Sequence, residues 1–431
     1  QRQKEVLTRM VEDGYISKKE ADQAFKQELQ YAPQTTNIKA PHFVMYVKEL
    51  LEKKYGTRLV EQGGLRVTSS LDLPLQTKAE EIVNKQIVQL QGLRVGNGAI
   101  LGTNPKTGEI LAMVGSKDYF DLEHDGNVNV TTSLRQPGSA IKVVNYAAAL
   151  ERGYTAASIL DDSPVSYALP GQPPYSPVNY DGRFHGRIPL RLALANSYNV
   201  PAVKVLASLG VTTMIDKGKS MGITSWEGQE NRFGLSLTLG GGEVTMLEMA
   251  KVYGTLANKG LTTELHPILE VTDYRGSVLE NNASGQSSQI ISPEVAFILS
   301  DILSDNHARS QAFGTNSALN ISDKAVAVKT GTTNDKKDNW TIGFTPSYVV
   351  VTWVGNNDGT PMHPQLTSGI TGAAPIWREM MLTILKNRPN ESFLKPNNIV
   401  SIPCYGKIEH FVKGTEPKRG CAPLPTLSPT P

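Results

Sequence analysis

The sequence is short of charge of either sign. Over 431 residues the formal net charge is only +2, and no block of Lys or Arg stands out. A protein that grips a phosphate backbone carries a basic stripe, so nucleic-acid partners are excluded. Cysteine is scarce: only Cys404 and Cys421 occur, both in the C-terminal tail. A bridge between them would suit an oxidising compartment, and a disulfide and two free thiols both remain open. No His-rich or Cys-rich cluster has metal-ligand spacing, so no metal and no cofactor is expected. No apolar run reaches the ~18 residues of a membrane span. Residues Gln1–Glu5 are polar and no apolar core follows, which is not a signal peptide. Because Gln1 is not an initiator methionine, the chain is expected to be a mature or excised piece, with any anchor upstream. There is no internal repeat and no low-complexity tract.

Apolar residues make up 39% and charged residues 19%, the balance of a folded globular protein. At roughly 100–200 residues per domain, the length allows two or three units. Val6, Leu7, Met10 and Val11 fall at helical spacing, and Gly14 stops that helix. Ser17 and Glu20 form a capping box for a second helix. Residues 31–41 are polar with two prolines and read as a linker. A helix over Phe43–Leu51 closes at Gly56, an alternating strand spans Leu65–Leu71, and Asp72 caps a helix carrying Ile82, Val83 and Ile87 on one face. The main unit starts near Gly98 with strands Ala99–Gly102 and Ile110–Gly115 joined by a turn. Helices and turns dominate from 137 to 260. Strand character returns at Ile268–Val271, Ala325–Lys329, Thr341–Phe344 and Val349–Val354, and a last helix covers about 375–387. Strands at both ends with helices between them suggest one mixed sheet covered by helices. The expected division is a helical segment over 1–36, a small α/β module over 37–92, the main domain over 93–390 and an extension over 391–431.

Three short motifs carry chemistry. Ser139-Ala140-Ile141-Lys142 opens a helix, and side chains three apart share a helix face. A serine hydroxyl needs a base, and a lysine kept neutral by burial or a like charge can be one. Ser197-Tyr198-Asn199 sits between two helical stretches; asparagine can donate to a substrate carbonyl and a hydroxyl can relay a proton. Lys329-Thr330-Gly331-Thr332-Thr333 follows an apolar strand, and glycine there permits close backbone approach. An exposed strand edge can take an extended peptide, whose terminal carboxylate would meet the lysine and the hydroxyls. Each motif also has a bland reading: a first-turn serine beside a solvated lysine, a helix stop, a strand running into a turn. Each has a duplicate as well, at Ser392–Lys395, Ser304-Asp305-Asn306 and Lys106-Thr107-Gly108.

In this order the three motifs resemble the signature of penicillin-binding proteins and class A β-lactamases. The wider sequence resembles class A penicillin-binding proteins, the bifunctional cell-wall synthases. Gly63-Gly64-Leu65 through Leu71–Gln76 is similar to the family's inter-domain linker, and Arg135–Ser139 to its approach to the nucleophile. Asn179–Gly182, Ala193–Ser197, Trp353–Asn356 and Gly372–Trp377 also fit. The flanks select Ser197–Asn199 and Lys329–Thr333 over their duplicates. Val143 departs from the family's usual proline, and the N-terminal glycosyltransferase domain and membrane anchor lie outside this sequence.

The resemblance implies a penicillin-binding-protein/serine β-lactamase-like transpeptidase fold: a central antiparallel sheet covered by helices, an all-helical subdomain and a small α/β linker module. It implies a peptidoglycan DD-transpeptidase at the extracytoplasmic face of the bacterial cytoplasmic membrane, attached through the missing N-terminal region. Its ligands would be stem peptides ending in D-Ala-D-Ala and β-lactam antibiotics. Ser139 would be acylated and Lys142 would take its proton, being held neutral by burial and Lys329. Backbone N–H groups of Ser139 and Thr332 would form the oxyanion hole. Ser197, Asn199 and Lys329 would complete the catalytic set, with Thr330, Gly331, Thr332 and Thr333 binding substrate. A DD-carboxypeptidase, a serine β-lactamase using Glu243 or Glu248 to activate water, and a β-lactam sensor or wall-binding scaffold remain the alternatives. Thr245-x-x-Glu248 also reads as a capping box.

Overall fold

The computed structural model describes residues 2–27, 38–169, 171–282, 286–364, 368–418 and 421. Two compact units are distinguished, residues 1–39 and 40–431. In the first, helices Arg2–Glu12 and Lys18–Lys26 form, and Ser17 with Glu20 makes the expected capping box. Most of the linker expected over 31–41 lies outside the described residues.

The second unit is organised by a five-stranded sheet. Its strands are β1 (Asn97–Thr103), β2 (Ile110–Val114), β3 (Ala327–Thr332), β4 (Asp338–Phe344) and β5 (Val349–Gly355). The order is β3-β4-β5-β1-β2, so segments 97–114 and 327–355 meet in one sheet and β3 lies at an edge. Every pairing is antiparallel. The mixed sheet suggested by the strand pattern is thus corrected, and the antiparallel sheet implied by the family resemblance is what forms. Successive side chains on a strand point to opposite faces. Leu101, Ile342 and Val351 therefore join one core, with Tyr253 of helix Met246–Ala257. Ile100, Val350 and Val328 join another, with Ile82 of helix Leu73–Leu90 and Trp377 of helix Ala373–Leu385. Helices on both faces explain why β1, β4 and β5 are buried along their whole length.

Two expectations shift. Ile268–Thr272 is a strand, but it is the middle of a separate three-stranded sheet with Arg66–Ser69 and Val278–Asn281. Alternation marks a strand without naming its sheet. The region 137–260, expected to be dominated by helices and turns, also contains two small antiparallel strand pairs, Ile159–Asp162 with Gly186–Pro189 and Tyr167–Leu169 with Gln172–Tyr175. Their Pro- and Gly-rich sequence cannot sustain a helix. Helix Leu73–Leu90, expected in the 37–92 module, shares its core with the sheet and the last helix. In the 391–431 segment, Ile399–Cys404 and Lys407–Val412 form a hairpin, and Cys404 is bridged to Cys421. Residues 419–420 and 422–431 lie outside the described residues.

Candidate active site

The nucleophile turn and strand β3 meet through glycines. Gly138 takes φ 53, a left-handed conformation that suits glycine. A Cβ on it would stand 2.7 Å from Thr332 N and O, and a Cβ on Gly331 would stand 2.1 Å from Pro137 O. Each glycine therefore lets the other backbone in. Trp340 Nε1 donates to Gln136 O at 2.9 Å, and the Tyr253 hydroxyl donates to Ala140 O at 2.8 Å. These bonds hold both flanks of Ser139, the second residue of the short 3₁₀ turn Gly138–Ile141 ahead of helix Lys142–Glu151. Ser139 and Thr332 are thereby brought side by side at the head of β3.

Both motif lysines are buried. Lys142 is fully buried, and its Nζ lies 2.6 Å from Ser197 O, 3.0 Å from Tyr198 O and 2.7 Å from Asn199 Oδ1. Burial first, then the Lys329 charge, holds its ammonium form well below the usual lysine range. Three acceptors match the three donors of an ammonium, which pulls the other way. Burial outweighs them, because all three acceptors are neutral groups and the desolvation of the buried charge is the larger effect. Lys329 Nζ donates to Ser197 Oγ at 2.7 Å and to Thr330 O at 2.9 Å. Burial and the nearby Arg309 guanidinium push it down to about 7. The Ser139 hydroxyl makes no hydrogen bond among the described residues, to Lys142 or otherwise.

Ser197 links the two amines. It takes φ 64, unusual outside glycine, and strained conformations of this kind gather at functional sites. Its N–H bonds Leu194 O and that of Tyr198 bonds Ala193 O, so the end of the preceding helix enforces the kink. The following helix, Asn199–Leu209, is capped from outside: Asn179 Oδ1 accepts from the N–H groups of Asn199 and Val200. Asn179 is held in turn by the fully buried Asp162, which also accepts from His185 Nδ1 at 2.7 Å and from its backbone N–H. The His185 ring stacks on Tyr198 with centroids 3.9 Å apart.

Ser139, Ser197, Asn199, Thr330 and Thr332 line one cleft of about 540 Å³, with Lys142 and Lys329 buried behind it. Thr333 does not line it. Its hydroxyl accepts from the N–H groups of Lys337 and Asp338 and staples the hairpin turn. Gly331 acts through close approach to the nucleophile turn. The duplicate motifs stand elsewhere: Ser392 and Lys395 are exposed, and Asp305 pairs with Arg191 and Lys407.

A family profile described as "Penicillin binding protein transpeptidase domain" matches residues 98–382. The chain belongs to the penicillin-binding protein transpeptidase family. It is 32% identical to penicillin-binding protein 2D of Bacillus subtilis across 98% of its own length, and spans 62% of that protein. With penicillin-binding protein 1A of Aquifex aeolicus it shares 29% identity over 98% of this chain and 69% of the relative. Its fold matches penicillin-binding protein 1A of Haemophilus influenzae with a TM-score of 0.80, at 23% identity, over 97% of this chain and 82% of that one. The PonA1 protein of Mycobacterium tuberculosis in complex with penicillin V matches with a TM-score of 0.70 and 26% identity, over 83% and 97% of the two chains. The resemblance read from the motifs is thus borne out.

Within this penicillin-binding-protein fold, sequence reasoning missed Asp162, His185, Arg309 and Asn334. Arg309 donates to Val328 O and Leu303 O, and Asn334 lines the cleft. The family-like Asn179–Gly182 segment pointed to the neighbourhood of Asp162 and His185, but nothing in the spacing pointed to Arg309.

Proposed function

We propose that this chain is a serine DD-transpeptidase that cross-links peptidoglycan stem peptides and is acylated by β-lactams. The observation that carries this is the meeting of Ser139, Lys142, Ser197, Asn199, Lys329 and Thr332 around one cleft beside an open strand edge. A stem peptide lies along β3 with its terminal carboxylate at Thr330 and Thr332, near Lys329. Lys142, as the neutral amine, accepts the Ser139 proton while Oγ attacks the penultimate D-Ala carbonyl. The oxyanion rests on the N–H groups of Ser139 and Thr332; one such donor is worth about 2.7–4 kcal/mol. The C–N bond breaks and D-Ala leaves, protonated through Lys142 or Ser197. Asn199 orients the acyl chain, and an amine of a neighbouring stem peptide takes the acyl group. The reaction belongs at the extracytoplasmic face of the cytoplasmic membrane.

Hydrolysis of the acyl-enzyme by a glutamate-activated water finds little support. Glu248 is engaged as the cap of Met246–Ala257 and by the N–H groups of Thr224 and Ser225. Glu243 pairs with Arg232. The test is intact-mass analysis after incubation with benzylpenicillin, with Ser139→Ala alongside. A lasting one-to-one adduct, lost in the variant, is expected. Rapid drug hydrolysis without an adduct would make the chain a β-lactamase, and an unmodified protein with intact drug would leave a scaffold.

A further inference from the structure

Across the β3–β4 hairpin, Thr332 is paired with Asn339. Asn339 is fully buried, and its Nδ2 lies 3.1 Å from Thr332 Oγ1. Its Oδ1 accepts from Ala373 N–H at 2.8 Å, at the start of helix Ala373–Leu385. That backbone donor fixes the amide: the atom facing Ala373 must be the oxygen, so the atom facing Thr332 must be the nitrogen. A threonine hydroxyl has one proton and two lone pairs. With one lone pair taken by the Asn339 amide nitrogen, which cannot accept, the proton is left to point away from that group. Thr332 lines the cleft, so that direction is where a ligand lies.

We propose that Asn339 is a positioning residue that presets the Thr332 hydroxyl as a donor to an anionic ligand group, and so sets selectivity for the ligand's carboxylate. This rests on the reading of Thr332 as a carboxylate contact given above. It assigns the selectivity to a buried amide on the neighbouring strand, which itself touches no substrate.

Asn339→Asp separates this role from a structural one. Aspartate has the same shape and still accepts from Ala373 N–H, and a carboxylate at a helix N-terminus is favourable. At this fully buried position the carboxylate also carries a desolvation cost, so stability is read from the thermal midpoint and the hydroxyl from the ligand comparison. Aspartate can only accept, so it draws the Thr332 proton inward and sets a negative charge beside the carboxylate site. Alanine merely frees the hydroxyl to rotate.

The experiment compares second-order acylation rates by benzylpenicillin and by its methyl ester, which masks the carboxylate, with thermal midpoints measured in parallel. Asn339→Asp should lose about 10- to 100-fold on the acid, the range of a hydrogen bond to a charged group, and far less on the ester. Asn339→Ala should lower the acid-to-ester ratio by a smaller factor. An unchanged ratio in either folded variant, or equal loss on both ligands, overturns the proposal. Thr332→Val is the control. If it leaves the ratio unchanged, the carboxylate reading of Thr332 fails; if it collapses the ratio while both Asn339 variants keep it, only the role of Asn339 fails.

Discussion

The tripeptide Lys-Thr-Gly occurs twice, and its two copies live in different physical worlds. Lys106 is exposed on the turn between β1 and β2, where its Nζ meets Ser347 Oγ at 2.9 Å. Gly108 holds that turn at φ 85. Lys329 is buried on edge strand β3, bonded to Ser197 Oγ and close to Lys142 and Arg309. Gly331 admits the nucleophile turn. The chemistry of the second copy comes from groups outside the tripeptide, Ser197 and Lys142 far away in sequence and Arg309 nearer, that the fold buries against it. A lysine in water is a solvated charge; a lysine beside a guanidinium in a dry wall has a proton that can be lost near neutrality.

Lysine removal probes the contrast most strongly. Lys329→Ala should slow acylation by benzylpenicillin about 100- to 1,000-fold, the usual loss when a preorganised electrostatic group is removed from a reacting site. Lys106→Ala should leave acylation unchanged and stability within about 0.5 kcal/mol, as for most surface changes. Equal effects in stopped-flow acylation would erase the distinction. The glycines sharpen it. In both copies an added Cβ would strike a backbone oxygen, Pro137 O at 2.1 Å for Gly331 and Glu264 O at 2.0 Å for Gly108. Gly331→Ala pushes on the turn that carries Ser139, and displacement of about 1 Å at a reacting group can cost about 100-fold in rate. Gly108→Ala has the added strain of its left-handed φ. It should cost about 1–3 kcal/mol in a thermal melt while sparing acylation.

The same contrast marks how far the sequence alone could be read. Local signals worked where the cause was local: the capping boxes at Ser17–Glu20 and Thr245–Glu248, the Asp72 cap, and the helix start after Ser139. Choosing between duplicate motifs needed their flanks, because three residues cannot encode a neighbour such as Ser197. Ile268–Thr272 went to another sheet because strand pairing is a long-range choice. Asn339 and Arg309 were invisible for a related reason. The first acts through hairpin register and a helix start, and the second through carbonyls of strand β3 and of the end of the preceding helix. Neither relation leaves a periodic trace. Thr333 shows the other side: it belongs to the motif, and its hydroxyl accepts from the turn.

The smallest expected effect is the pH dependence, and it separates site from scaffold by sign. In the free enzyme the Lys329 proton is lost at about 7. If its charge holds the ligand carboxylate, the second-order acylation rate should fall above pH 7, by up to about tenfold per unit. A bound carboxylate favours the ammonium, so at saturating ligand the same limb should move to higher pH. Stability runs the other way. Lys329 sits below its ordinary value of 10.5 in the folded protein, so between about 7 and 10.5 the unfolded chain binds more protons. Stability must then rise with pH across that window, and the lowered Lys142 contributes with the same sign. Below about 7 the Lys329 contribution levels off. Measured together, acylation should decline while the thermal midpoint gains from both lysines. A parallel decline of both would mean that alkaline unfolding, and not the Lys329 proton, limits the reaction.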